Sequence, residues 1–147
     1  MIVVDASLAA KWIIAEPDSA HALQFLFEHG HDLGAPDIIH IEVTSAIVRR
    51  ANENKSLLGN AMQAFDKWTK QIVPTTLTFY PTTMTRLSVA ARLALQLGHP
   101  IADCIYLALA IEFKCDLATS DARFVKKART VWNQVRLLTD YPLATGT

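Results

Sequence analysis

Apolar positions along the chain fall into short β-branched runs separated by longer stretches of helical period. Ile2-Val3-Val4 is the first such run and predicts a buried strand. A helix is expected over Ala6 to Ala15, ending near Pro17, and a second over Ser19 to His29, stopped by Gly30. After a brief segment around Asp32 to Ala35, Pro36 is placed to open a long helix reaching Asn52. Ser56 to Gln71 repeats with helical period, and Leu57, Met62, Phe65 and Trp68 form its apolar stripe. Thr76 to Tyr80 favours strand by its β-branched and aromatic content. Thr83 to Leu97 is helical and stops at Gly98. Ile101 to Phe113 is a helix that is apolar all round from Cys104 to Ile111, the pattern of a buried element. A strand over Asp116 to Thr119, a basic helix over Ala122 to Thr130 and a strand over Gln134 to Leu138 complete the series.

Short apolar strands alternating with helices imply an α/β sandwich around a mostly parallel sheet. The 147 residues contain no repeat, low-complexity tract or Pro/Gly/Ser linker, so one domain over 1–147 is expected. Ligands of such sheets bind beyond the carboxyl ends of the strands. Two acids stand there: Asp5 directly follows Ile2-Val3-Val4, and Asp121 follows Leu117 to Ser120. Each can instead be a helix N-cap, although Leu8 and Phe124 occupy the positions where a capping box has Glu or Gln.

Asp103 begins the buried helix. The helix dipole repays it only about 0.3–1 kcal/mol, against several for a poorly solvated charge. Facing water at the helix start would avoid that cost. Glu42 borders a helix face made by Ile38, Ile41, Ser45 and Val48; a solvated surface Glu is the plain alternative. Asp37, near the helix start, reads as structural.

If the four acids converge, they repel one another. Two charges about 4 Å apart cost about 4 kcal/mol at an effective dielectric of 20. Such a cluster calls for a cation or for raised pKa values. Oxygen ligands without His or Cys partners point to Mg²⁺ or Mn²⁺, one or two ions, and to phosphodiester hydrolysis. Ser7 could orient a water, Thr119 and Ser120 could hold the Asp121 carboxylate, and Lys11 shares a helix face with Ser7.

Charge and composition narrow this further. Lys plus Arg and Asp plus Glu number 14 each, so no strongly basic nucleic-acid footprint exists, though a local patch can still steer a polyanion. Cys104 and Cys115 lie in apolar surroundings without metal-type spacing and read as buried, reduced thiols of a cytoplasmic protein. The start, "MIVVDAS", lacks a basic region and is not expected to be a signal peptide. No apolar run approaches the roughly 20 residues that span a bilayer, so no membrane association is expected.

"VVDAS", Glu42 in a helix opened by Pro, "ADCIYLALA" around Asp103 and "TSDARF" around Asp121, in this order, resemble a PIN domain over nearly the whole chain. At this length the chain looks like a VapC-type toxin of a toxin–antitoxin pair. The resemblance implies a Rossmann-like α/β/α sandwich with a central, mostly parallel sheet of about five strands. It implies a Mg²⁺- or Mn²⁺-dependent endoribonuclease whose acids are Asp5, Glu42, Asp103 and Asp121, supported by Ser7 and Thr119. It further implies a homodimer and an antitoxin whose C-terminal segment enters the acidic groove; the stripe of Leu57, Met62, Phe65 and Trp68, more than one small domain need cover, is expected to be partly buried in that dimer, with core packing inside the monomer as the alternative. Arg49, Arg50 and Arg123 are candidates to guide the RNA backbone. Ile101 and Ala102 depart from the aromatic or polar residues that relatives often carry before the third acid.

Two other readings compete. Phosphoryl-transfer domains with an Asp nucleophile need acids that "VVDAS" lacks: the dehalogenase-like pattern has Asp where Ser7 stands, and a receiver domain needs paired acids. A degenerate PIN domain that only binds RNA or protein would be favoured by loss of an acid, but all four are present.

Overall fold

The computed structural model describes residues 1–143. Five strands form one sheet: β1 (Ile2–Val4), β2 (Leu33–Pro36), β3 (Leu77–Tyr80), β4 (Asp116–Thr119) and β5 (Val135–Leu137). Their order is β3-β2-β1-β4-β5 and every pairing is parallel. Helices flank the sheet: α1 (Ala6–Ala9), α2 (Ser19–His29), α3 (Ile39–Glu53), α4 (Leu58–Lys67), α5 (Val73–Thr76), α6 (Met84–Leu97), α7 (Ile101–Phe113) and α8 (Ala122–Ala128). The expected α/β sandwich is therefore present.

The chain adds β2 and β3 on one side of β1, then crosses over and adds β4 and β5 on the other. The loops leaving β1 and β4 consequently diverge between neighbouring strands, which opens a crevice at their carboxyl ends. Val3 and Val4 are fully buried, as are Leu117, Ala118 and Thr119, because parallel strands are covered on both faces. Helix α7 packs on β1, β2 and β4, and every residue from Cys104 to Ala110 is buried, as its unbroken apolar run requires. Both cysteines are buried, at the start of α7 and just before β4. None of the described helices is long and apolar enough to cross a membrane.

Several expected elements differ. The first helix is shorter than Ala6 to Ala15: α1 passes into a 3₁₀ turn, Ala10–Trp12, and ends. The Trp12 indole N–H donates to the Ala22 carbonyl, and Lys11 pairs with Glu16 and Asp18, so the chain folds back before Pro17. Pro36 does not open a helix; it closes β2 opposite Tyr80. Proline is tolerated there because β1 pairs only as far as Gly34, while the next N–H, of Asp37, bonds the Tyr80 carbonyl. Asp37 is outside α3 and ties the strand exit to Thr82 through two hydrogen bonds.

On α3 the core face is Ile39, Val43, Ile47 and Ala51, whereas Ile41 is 70% and Val48 50% exposed. The helix carries two apolar rows, and packing against α1 and α4 chooses between them. The segment expected over Ser56 to Gln71 is broken into a 3₁₀ turn, α4, a π turn (Trp68–Ile72) and α5. The π turn carries Trp68 and Ile72 into the core, so Trp68 leaves the presumed outer stripe, and the exposed pair is Leu58 and Met62. A Cβ at Gly34 would lie 2.8 Å from Met1 Sδ and 3.1 Å from Tyr80 Cε2, so a larger residue there would make the Met1 side chain and the Tyr80 ring shift.

Candidate active site

Asp5, Glu42, Asp103 and Asp121 all line one open cleft of about 650 Å³ at the carboxyl edge of the sheet. They come from four different elements: the end of β1, the first turn of α3, the first turn of α7 and the turn after β4. The cap reading of Asp5 and Asp121 is correct as well. Asp5 Oδ1 accepts the Leu8 N–H at 3.1 Å, and Asp121 Oδ1 accepts the Phe124 N–H at 3.1 Å. Capping and lining the cleft are compatible because a carboxylate has lone pairs on both oxygens.

Asp5 is the most enclosed acid, only 3% exposed. Ser7 Oγ donates to its Oδ1 at 2.7 Å, and the fully buried Thr119 Oγ1 donates to its Oδ2. Each hydroxyl has one proton, so the 3.1 Å approach of Ser7 Oγ to Thr119 Oγ1 is left without a donor. Thr119 also accepts the Asp121 N–H, and Ser7 accepts the Ser120 N–H at 3.0 Å. This corrects the expected role of the hydroxyls. Thr119 holds the Asp5 carboxylate rather than that of Asp121, and the buried Ser120 Oγ makes no hydrogen bond among the described residues. Burial pushes the Asp5 carboxyl up to about 7 against the pull of Thr119, Ser7 and the Leu8 N–H, and the charge of Asp103 adds to the rise. Glu42 is raised by burial and by Asp103, while the Tyr106 hydroxyl opposes this.

The surroundings separate the basic residues. Arg49 and Arg123 line the cleft, but Arg50 turns away to the Ala15 carbonyl. Lys11 also lines it, yet its Nζ is spent on Glu16 at 2.6 Å and Asp18 at 2.8 Å. Glu16, also in the cleft, carried no signal in the sequence. His99 was missed too; its Nε2 lies 2.6 Å from Asp103 Oδ2. Their i,i+4 spacing was visible, but Pro100 between them hid the shared turn.

The family model for the PIN domain matches residues 2–130. The chain belongs to the PIN domain family. No curated protein sequence matches it significantly. Among solved structures, FitAB bound to an IR36 DNA fragment is 17% identical, with a TM-score of 0.70 over 99% of this chain and 100% of that one. FitAcB from Neisseria gonorrhoeae is 17% identical, TM-score 0.66, over 93% and 96%. PAE2754 from Pyrobaculum aerophilum is 19% identical, TM-score 0.64, over 95% and 90%. At these identities the likeness establishes the fold. PIN domains are generally nucleases, which directs attention to the acidic cleft.

Whether this PIN domain suits a divalent cation turns on its donors. Among the described residues, none of the four acids pairs with Lys or Arg, and only Asp103 has a positively chargeable partner, His99. The donors are hard oxygens, and Asp103 raises both Asp5 and Glu42, a repulsion that a cation relieves. The chemistry of the set therefore fits Mg²⁺ or Mn²⁺. Among the described residues no three such side chains already form a closed cage.

Proposed function

We propose that this chain is a single-domain, metal-dependent endoribonuclease, the toxin of a type II toxin–antitoxin pair, acting in the cytoplasm. The observation that carries the reading is the convergence on one cleft of four carboxylates that have no Lys or Arg partner among the described residues. The likeness to FitAB and FitAcB supports the toxin–antitoxin part, with a cognate antitoxin as partner.

Asp5, Glu42, Asp103 and Asp121 would hold one or two Mg²⁺ or Mn²⁺ ions, which supply Lewis-acid activation of water and neutralise charge at the scissile phosphate. The protein's part is preorganisation. Ser7, Thr119 and the Leu8 N–H fix Asp5 in one orientation, so no reordering is needed when charge develops. Arg49 and Arg123 at the rim draw in the phosphate backbone of single-stranded RNA.

Incubation with a total RNA pool and Mn²⁺ or Mg²⁺, followed by end mapping, tests this. Discrete cuts leaving 5′-phosphates, abolished by EDTA, are expected. RNA bound but never cut in either metal would replace the enzyme with a non-catalytic binding module.

The proposed unit is a homodimer, with the exposed apolar pair Leu58 (60%) and Met62 (58%) partly covered by the second copy. Light scattering at high micromolar concentration is expected to give twice the chain mass. A monomer mass there removes the dimer from the reading.

A further inference from the structure

His99 sits in the loop between α6 and α7, where Gly98 ends α6 in the left-handed conformation (φ 59°). Its side chain is only 10% exposed. Three contacts fix the ring. It stacks on the fully buried Phe124, centroids 4.7 Å apart and planes 29° from parallel. Its Nε2 lies 2.6 Å from Asp103 Oδ2. Its Nδ1 faces Lys127 Nζ at 3.4 Å, and that ammonium is itself anchored on the Gly98 carbonyl at 3.0 Å.

An ammonium has only protons to offer, so Nδ1 meets it with a lone pair. The ring proton then resides on Nε2 and points at Asp103. Asp103 Oδ2 is thereby occupied, while Oδ1 makes no hydrogen bond among the described residues and is left for the cleft. Phe124 extends the linkage, because the residue under the His99 ring is the one whose N–H is capped by Asp121. One imidazole thus sets the rotamer of Asp103 and ties it to the helix that Asp121 begins.

We infer that His99 is a positioning residue: it presents one oxygen of Asp103 to the divalent cation, with Lys127 fixing its tautomer. The inference rests on the metal-dependent reading above. Groups that orient a ligand carboxylate typically change metal affinity about 10–100-fold when removed.

Two substitutions separate the donor from the ring. His99→Phe keeps an aromatic stack on Phe124 and loses the N–H. His99→Gln loses the stack and retains a donor near the Nε2 position. The full chain is titrated with Mn²⁺ by calorimetry, melted without metal, and assayed for kcat and KM on single-stranded RNA. His99→Phe is expected to melt like wild type, bind Mn²⁺ about 10–100-fold more weakly, and lose kcat with KM for RNA little changed. His99→Gln is expected to stay within a few-fold of wild type in Mn²⁺ affinity even where its melt is lower. His99→Phe with wild-type Mn²⁺ affinity overturns the inference. So does His99→Gln binding as weakly as His99→Phe, or an Nδ1–H tautomer in the nitrogen NMR spectrum of the metal-free chain. Wild-type protein that binds no Mn²⁺ instead overturns the metal-dependent reading on which it rests.

Discussion

Asp103→Asn is expected to cut RNA hydrolysis about 100-fold or more, some 3 kcal/mol of barrier, while the metal-free protein melts no lower than wild type. The substitution keeps a carbonyl oxygen for His99 and removes one negative charge from the cleft. That charge raises both Asp5 and Glu42, so its removal relieves the metal-free site. Asp5→Asn is expected to act in the same direction, since Asn still accepts the Leu8 N–H and caps a helix about as well as Asp. A purely structural role predicts the opposite pattern, lower melting with activity intact. Cleavage rates beside melts in EDTA distinguish them, and an Asp103→Asn protein that melts lower yet cuts at the wild-type rate would falsify the assignment of that residue.

The pH dependence of stability gives the other large effect. Burial pushes the Asp5 carboxyl up to about 7 in the folded chain, against an ordinary aspartate value of 3.8. The folded state therefore holds this proton more tightly than the unfolded state. The associated stability is fully present below pH 3.8, declines as pH rises, and is gone above about 7. The whole change is on the order of 4 kcal/mol. Asp18, Asp32 and Glu112 are lowered by Lys11, the N-terminus and Arg86 respectively, and oppose it at acid pH. The measurement is accordingly a difference: the stability of Asp5→Asn minus that of wild type, in denaturant without metal. This difference is expected to widen from pH 5 to pH 8, and saturating Mn²⁺ at pH 8 is expected to narrow it by stabilising wild type. A difference that stays flat with pH would place Asp5 among ordinary solvated carboxylates.

Much of this arrangement was readable in the sequence because it depends on residues next to one another. Val3 and Val4 predict a strand and Asp5 follows it; Leu117 to Ser120 do the same for Asp121. The apolar run after Asp103 left its helix no place but the core. What the sequence withheld depends on contacts across the fold. Pro36 looks like a helix start until Tyr80 is known to lie opposite, and Ile39 and Ile41 are equivalent until packing against α1 and α4 chooses one. The fate of the Thr119 proton, given to Asp5 rather than Asp121, follows from β1 and β4 being neighbours. His99 gained a role only when Phe124 was placed beneath its ring. Glu16 joins the cleft as the partner of Lys11, a pairing that no neighbouring residue announces.

The bond from Thr119 to Asp5 spans 114 residues of chain. Asp5 leaves the ribosome 114 residues ahead of Thr119. Until β4 docks beside β1, Asp5 lacks the Thr119 half of its support and the cleft lacks the wall that carries Asp121. Closing so long a loop is also slow relative to local helix formation. Synthesis itself thus delays the assembly of this site: the nascent chain carries Asp5 well before β4 arrives to complete the cleft. A partner present at that moment meets the cleft as it forms.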